Sequence, residues 1–231
     1  MSASPLSLLL RTLQLGDGTF PVGAFTFSNG LESALQTGVV TDAASLKRFV
    51  QGVASQSAGL DGVALLHAHR AARAADLRQL LVVDEALMIR RVGQEQRLML
   101  TRMGKKLTEL GERLAPGALP AQWLQCIRDG STPGSYPVSA GLLFASLEVA
   151  EAEAFAVHHY GVVSMMLGAA LRLMKIDHYT TQQIAFELHG DIDEIYQQKA
   201  NCALEDMASF SPVFDVLVAQ HEQATVRMFM N

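Results

Sequence analysis

The chain has 231 residues and a net charge of −5; 49% of its residues are hydrophobic and only 18% are charged. The acidic balance argues against a nucleic-acid-binding surface, which requires clustered Lys and Arg. Cys126 and Cys202 are far apart, so the sequence holds no CxxC pair for zinc or redox chemistry. Because the charged fraction is below the roughly 25% of an average soluble domain, we expect a large core or a surface covered by other subunits.

Apolar residues in the first half recur at helical spacing, and no run alternates cleanly at the two-residue period of a strand. Leu6, Leu9, Leu10 and Leu13 predict an amphipathic helix that ends near Gly16. A second helix is predicted at about 28–37, with Gly38 as its stop. A third begins after a cap at Thr41 and Asp42, and another covers about 60–75. A longer helical region at 76–114 follows, interrupted at most by Gly93, Gly104 and Gly111.

The second half is also predicted to be helical. Pro120 begins a short helix, and residues 130–137, rich in Gly, Ser and Pro, form a loop that joins two halves of one domain. The remaining helices are predicted at about 138–150, at 152–174, from a Thr180–Gln183 capping box to Glu205, and from Ser211-Pro212 nearly to Asn231. The prediction is therefore an all-α fold, with residues 1–231 forming a single domain of about ten helices.

The most apolar stretches, 138–150 and 154–174, are too polar to span a bilayer. They are interrupted by Glu148, Glu151, Glu153 and the pair His158-His159. The N-terminal residues also lack the basic region and cleavage pattern of a signal peptide. We therefore expect a cytoplasmic protein without membrane contact.

The motifs that support common catalytic mechanisms are absent from the sequence. Gly104-Lys105-Lys106 lacks the first glycine and the hydroxyl residue of a phosphate-binding loop, and no G-x-S-x-G motif occurs. Carboxylates share helix faces at Glu148 with Glu151 and at Glu187 with Asp191. We do not expect an enzyme, but a helical enzyme with an acidic or His-lined pocket and a generic helical scaffold remain as alternatives.

Histidines are the main candidates for metal ligands. His67 and His69 fall on different faces of a helix, and His158 and His159 point in different directions. The sequence His189-x-Asp191-x-Asp193 can gather a weak cation site if it interrupts its helix, and a solvated polar face is the other interpretation. We expect no tightly held metal in this chain.

Residues 20–32 stand out as an irregular apolar segment before a helix. Pro21 and Gly23 shape the loop, Phe25 and Phe27 offer aromatic anchors, and Glu32 lies in the first turns of the helix, where the dipole favours a carboxylate. This composition is more typical of a docking surface than of a catalytic pocket. A helix cap with aromatic residues in the core is the other interpretation.

Three segments resemble the signatures of the UreF family of urease accessory proteins. The first matches the family at Pro21, Val22, Gly23, Phe25, Ser28, Gly30, Leu31 and Glu32. The second is Tyr136-Pro137-Val138-x-x-Gly141, and the third is His221-Glu222-x4-Arg227-Met228-Phe229 at the C-terminus. Departures from the family pattern occur at Phe27, Asn29, Lys175, Thr225, Met228 and Asn231.

The resemblance implies an all-helical, homodimeric accessory protein in nickel delivery to urease. Proteins of this family bridge a UreD/UreH-type scaffold and the UreG-type GTPase, and they assemble with apo-urease. Nickel and GTP are then expected on the partners, with no cofactor held tightly by this chain. The resemblance favours a partner-binding role for Pro21, Gly23, Phe25, Ser28, Gly30 and Glu32, with a channel-lining role as the alternative for Ser28 and Glu32.

The C-terminus supplies the remaining partner-binding candidates. Arg227 can contact a carboxylate, while Met228 and Phe229 add apolar area beside His221 and Glu222. We expect a partner to order this end, or else a C-terminal helix that packs on its own chain. Arg172 lies where the family carries a basic residue, and the resemblance implies a contact to the GTPase or a place on the dimer surface.

Overall fold

The computed structural model describes residues 4–208, 210–223 and 227–229, and within these residues it contains helices and no strand. The all-α, single-domain prediction is confirmed. The first helices are α1 (Pro5–Gly16), α2 (Leu31–Gln36), α3 (Ala43–Ser57), α4 (Val63–Arg73), α5 (Leu77–Ile89) and α6 (Gln94–Leu114). They are followed by α7 (Ala118–Arg128), α8 (Tyr136–Ser146), α9 (Glu151–Leu173), α10 (His178–His189), α11 (Ile192–Ala200) and α12 (Pro212–Gln223).

Several helix ends lie where the sequence places them. Asp42 caps α3 in a capping box with Ser45, because each side chain bonds to the backbone of the other residue. Gly38 follows α2 with a φ of 76°, a backbone conformation that glycine adopts without strain. The predicted loop before α2 is also present, with one turn of 3-10 helix at Ala24–Thr26.

Other predicted boundaries were wrong, and most errors come from helices predicted too long. The predicted helix at 28–37 covers only Leu31–Gln36, because Asn29 and Gly30 have positive φ values. The predicted helix from 138 to 150 is Tyr136–Ser146, and the one from Thr180 to Glu205 is two helices that separate at Gly190. Asp177, rather than a Thr180–Gln183 box, caps α10 by accepting a bond from the Thr180 amide.

The chain is helical without interruption from α3 through α4. The two helices join through a π-helical segment at Ala58–Gly62, whose residues keep right-handed helical dihedrals at both junctions. The segment buries Asp61, which forms an ion pair with the equally buried Arg91 after α5. A Cβ at Gly62 would lie 2.5 Å from the Phe155 ring, so glycine allows α9 to approach the segment.

Small residues bring the central helices close together. A Cβ at Gly141 in α8 would stand 2.5 Å from the Leu65 carbonyl oxygen of α4. The sequence allowed an interruption at Gly104 and Gly111, but α6 continues through both. The two glycines face α8 and the segment that precedes it. Glycine is therefore used in these helices for close packing and not for helix breaking.

The loop at 130–137 is fastened to the core by one carboxylate. Asp84 of α5 is fully buried and accepts hydrogen bonds from the Thr132 hydroxyl (2.5 Å), the Gly134 amide (2.8 Å) and the Ser135 amide (2.9 Å). These bonds satisfy a charge that would be costly to bury alone. The loop therefore joins the two halves of the chain as a fixed connection.

The helix α9 runs through the centre of the molecule. By length and apolar composition it could cross a membrane, but half of its most apolar 18-residue window is buried inside the protein. Phe155, Val163 and Met166 are among the side chains that it buries. These properties are those of a core helix.

We predict that Gly104→Ala destabilises the fold. The added methyl group would overlap the backbone of residues 134–136, and overpacking of this kind costs about 1–3 kcal/mol. Gly52→Ala in α3 is the matched control, because its Cβ would meet nothing within 4 Å and should stabilise the helix by up to about 1 kcal/mol. Urea unfolding at neutral pH measures both, and a Gly104→Ala protein as stable as the wild type would contradict the packing described.

Candidate functional site

The predicted segments at 20–32 and 221–229 meet in one place. The carboxylate of Glu32, which is only 5% exposed, accepts hydrogen bonds from the Met228 amide (2.8 Å) and the Phe229 amide (3.0 Å). The described C-terminal residues 227–229 are not helical, so the predicted helix does not extend through them; α12 ends at Gln223. The C-terminal residues therefore dock on their own chain through the start of α2.

A fully buried histidine joins this contact to α6. The Nε2 atom of His221 lies 3.2 Å from Glu32, and its Nδ1 atom lies 2.8 Å from Glu95. A neutral imidazole carries only one N–H, so only the doubly protonated ring donates to both carboxylates. Arg227 also pairs with Glu95, so two carboxylates and two basic groups close the site.

Glu222, the residue after His221, caps the helix that carries Glu95. Its Oε1 atom accepts a hydrogen bond from the Glu95 amide at 3.0 Å, in the first turn of α6. The N-cap residue of α6 is Gly93, which has no side chain to supply this bond. A Cβ at Gly93 would lie 3.1 Å from Val218, so the glycine also allows α12 to approach.

Arg172 connects the loop before α2 to the C-terminal residues. Its Nη2 atom donates to the Phe25 carbonyl at 3.0 Å, and its guanidinium lies 4.4 Å from the centre of the Phe229 ring. The second contact has the geometry of a cation–π interaction. The structure thus places Arg172 in the same site as the segments predicted to bind partners.

The remaining candidates shape the loop. Gly30 has a φ of 76°, and a Cβ there would lie 3.2 Å from the Phe214 ring, so both the backbone and α12 require glycine. Gly23 also has a positive φ, of 86°, but nothing lies within 4 Å of its Cβ position. Ser28 is fully buried and accepts a bond from the Glu32 amide at 3.5 Å. Pro21 is exposed.

The exposed part of the site is apolar and basic. Phe25 is 64% exposed and Met228 is 66% exposed, and Arg227 is also at the surface. Phe27, which the sequence offered as a second anchor, is instead a core residue at 3% exposure. Two of the positions that depart from the family pattern, Thr225 and Asn231, lie outside the described residues.

The docked C-terminus favours the ionised form of Glu32. Burial raises the pKa of this carboxyl, but the hydrogen bonds from the Met228 and Phe229 amides and from His221 together outweigh burial. The pKa of Glu32 is therefore below the ordinary value of 4.5. The docking contribution is complete above the ordinary pKa, and it is lost as the pH falls through the lowered one.

The sequence did not point to Glu95 or to a cavity near the loop. The only signal for Glu95 was a carboxylate just after a glycine at a helix start. The cavity has a volume of about 80 Å³, and Asn29 and Tyr136 are among its lining residues. At its side, Ser57 donates to Asp61 (3.0 Å) and lies 3.2 Å from the Nε2 atom of His158.

The structure gives most histidines predicted as metal candidates a protein partner. His67 lies 2.9 Å from the Cys202 carbonyl, and His69 lies 2.8 Å from the Val149 carbonyl. Among the residues that the structure describes, no group of three or more His, Cys, Asp or Glu side chains is placed to hold a metal ion.

Comparison with known proteins assigns the family. The model of the UreF family matches residues 40–189, which is more than half of the chain. The chain belongs to the UreF family. Urease accessory protein UreF 2 of Brucella canis is 48% identical over 223 residues, covering 96% of this chain and 92% of that protein. Urease accessory protein UreF of Yersinia pseudotuberculosis is 44% identical, covering 96% of this chain and 98% of that protein.

We predict that the C-terminal residues of this UreF-family chain undock at acidic pH. At neutral pH the amides of Met228 and Phe229 should resist hydrogen exchange, and their protection should fall as Glu32 becomes protonated below pH 4.5. Protection factors measured by NMR at several pH values test this.

Glu32→Gln is the control for this prediction, because it removes the charge and keeps the size. Its Met228 and Phe229 amides should exchange faster at neutral pH and depend less on pH. Equal protection in the wild type and the variant would show that Glu32 does not hold the C-terminus.

Proposed function

We propose that this UreF-family chain is a non-enzymatic subunit that bridges a UreD/UreH-type scaffold and a UreG-type GTPase during nickel insertion into apo-urease. Family membership is the observation that carries the proposal, because the matched relatives are named urease accessory proteins. Nickel and GTP are held mainly by the partners in this proposal, and the complex works in the cytoplasm.

The joined loop and C-terminus form the proposed docking surface. Phe25 and Met228 present apolar area, and Arg227 adds positive charge beside them. Arg172 donates to the Phe25 carbonyl, and Glu32 accepts from the Met228 amide. The partner therefore meets a surface that is already ordered. A prearranged surface binds more tightly, because less conformational entropy is lost on association.

The outer face of α1 supports assembly with further subunits. Its exposed side chains are Leu6, Leu9, Leu10 and Leu13, each more than half exposed. They recur at steps of three and four residues, so they share one face of the helix. An apolar stripe of this kind favours contact with another subunit, and we propose that the chain works as a homodimer within the complex.

We predict that Met228→Asp weakens binding to the scaffold or the GTPase at least about tenfold, since central apolar anchors dominate interface energies. Met228 is largely exposed, so the free chain should keep its stability. Leu114→Asp, which replaces an apolar residue of similar exposure at the end of α6, is the matched control.

The variants are co-expressed with the scaffold and the GTPase and are compared by size-exclusion chromatography with light scattering. The proposal predicts that the wild type and Leu114→Asp form the complex, that Met228→Asp does not, and that nickel loading of urease follows complex formation. Absence of a wild-type complex with either partner would contradict the proposed function. A complex that tolerates Met228→Asp would contradict only the assigned surface.

A further inference from the structure

Two histidines meet at a place that is separate from the proposed docking surface. His159 of α9 and His189 at the end of α10 face each other, with ring centroids 6.0 Å apart and ring planes at 69°. Both ring nitrogens of His159 and the Nε2 atom of His189 are buried without a hydrogen-bond partner. His159 is only 5% exposed.

Three unpartnered ring nitrogens at one position are unusual in a folded protein. Leaving a buried polar group without a partner costs about 1–3 kcal/mol, and native structures contain few such groups. The Leu188 carbonyl is close enough to act as a weak hydrogen-bond acceptor for His159, but its geometry falls outside that of an ordinary hydrogen bond. A bound cation would accept one lone pair from each ring and so reduce this cost.

A cavity beside His159 has room for such a species. Its volume is about 230 Å³, and its lining residues include His159, Asp191, Glu194 and Gln198. A water molecule occupies about 30 Å³ in the liquid, so an ion and several waters fit. The two carboxylates give the cavity a negative charge, which favours a cation.

The break between α10 and α11 leaves one of these carboxylates available. The predicted helix is interrupted at Gly190, which is the condition that the His189-x-Asp191-x-Asp193 motif required. Asp191 occupies the N-cap position of α11, but its side chain makes no capping hydrogen bond. Its carboxylate therefore keeps its capacity to bind an ion.

We propose that His159 and His189 form a labile site for one divalent ion of the imidazole-binding metals Ni²⁺, Zn²⁺ and Cu²⁺. A carboxylate of Asp191 or Glu194 and water complete the coordination. As the side chains lie, they do not yet form a three-ligand group, and of the two rings it is His159 that lines the cavity. Binding must therefore draw the His189 ring and a carboxylate toward the ion, and the ion exchanges readily. Mg²⁺ prefers oxygen ligands and should not bind.

Calorimetric titration of the purified full chain with NiCl₂ and ZnCl₂ tests the site. The wild type should bind one ion per chain at this site, and His159→Gln and His189→Gln should each weaken binding at least tenfold. His178→Gln is the matched control, because His178 lies at the exposed start of α10, the helix that ends at His189. It should bind as the wild type does. MgCl₂ should give no binding heat.

Circular dichroism shows whether each variant folds. If either fails, X-ray absorption of the wild type loaded with one Ni²⁺ decides, since it should detect two imidazole ligands. Binding that survives both substitutions, equal loss in His178→Gln, no binding by the folded wild type, or fewer than two imidazoles on the metal would each overturn the site. None of these outcomes bears on complex formation with partners, so this inference and the proposed function fail independently.

Discussion

The buried carboxylate of Glu32 is the contact on which the candidate site depends. It accepts two backbone amides of the C-terminal residues and lies 3.2 Å from the fully buried His221. Charged hydrogen bonds of this kind contribute about 1.5–3 kcal/mol each. Through His221 the same carboxylate is linked to Glu95, so one side chain connects the start of α2, the start of α6 and the end of the chain.

This arrangement explains why the site combines order with exposed apolar area. A C-terminal segment is normally mobile unless it is fastened. Here Glu32 binds its backbone and Arg172 covers the Phe229 ring, while the Met228 side chain is left exposed. The polar groups of the site bind other groups of the same chain. The apolar side chains that remain at the surface are those available to another protein.

The sequence predicted the fold class and the residues of the site better than their arrangement. Helical periodicity and caps such as Asp42 depend on near neighbours, so they can be recognised along the chain. The family signatures named Glu32 and His221 but not their contact, because residues nearly two hundred positions apart leave no local pattern. Glu95 was missed for the same reason, and the close packing at Gly104 leaves no local pattern because its near neighbours lie in the loop at 130–137.

A double-mutant cycle between Glu32 and His221 tests the central contact most directly. Urea unfolding of the wild type, Glu32→Gln, His221→Gln and the double variant gives the coupling free energy between the two side chains. We expect a favourable coupling of about 1 kcal/mol or more, because the single changes each leave a buried group unpaired. Additive effects, within about 0.5 kcal/mol, would contradict the claim that Glu32 and His221 hold the C-terminus together.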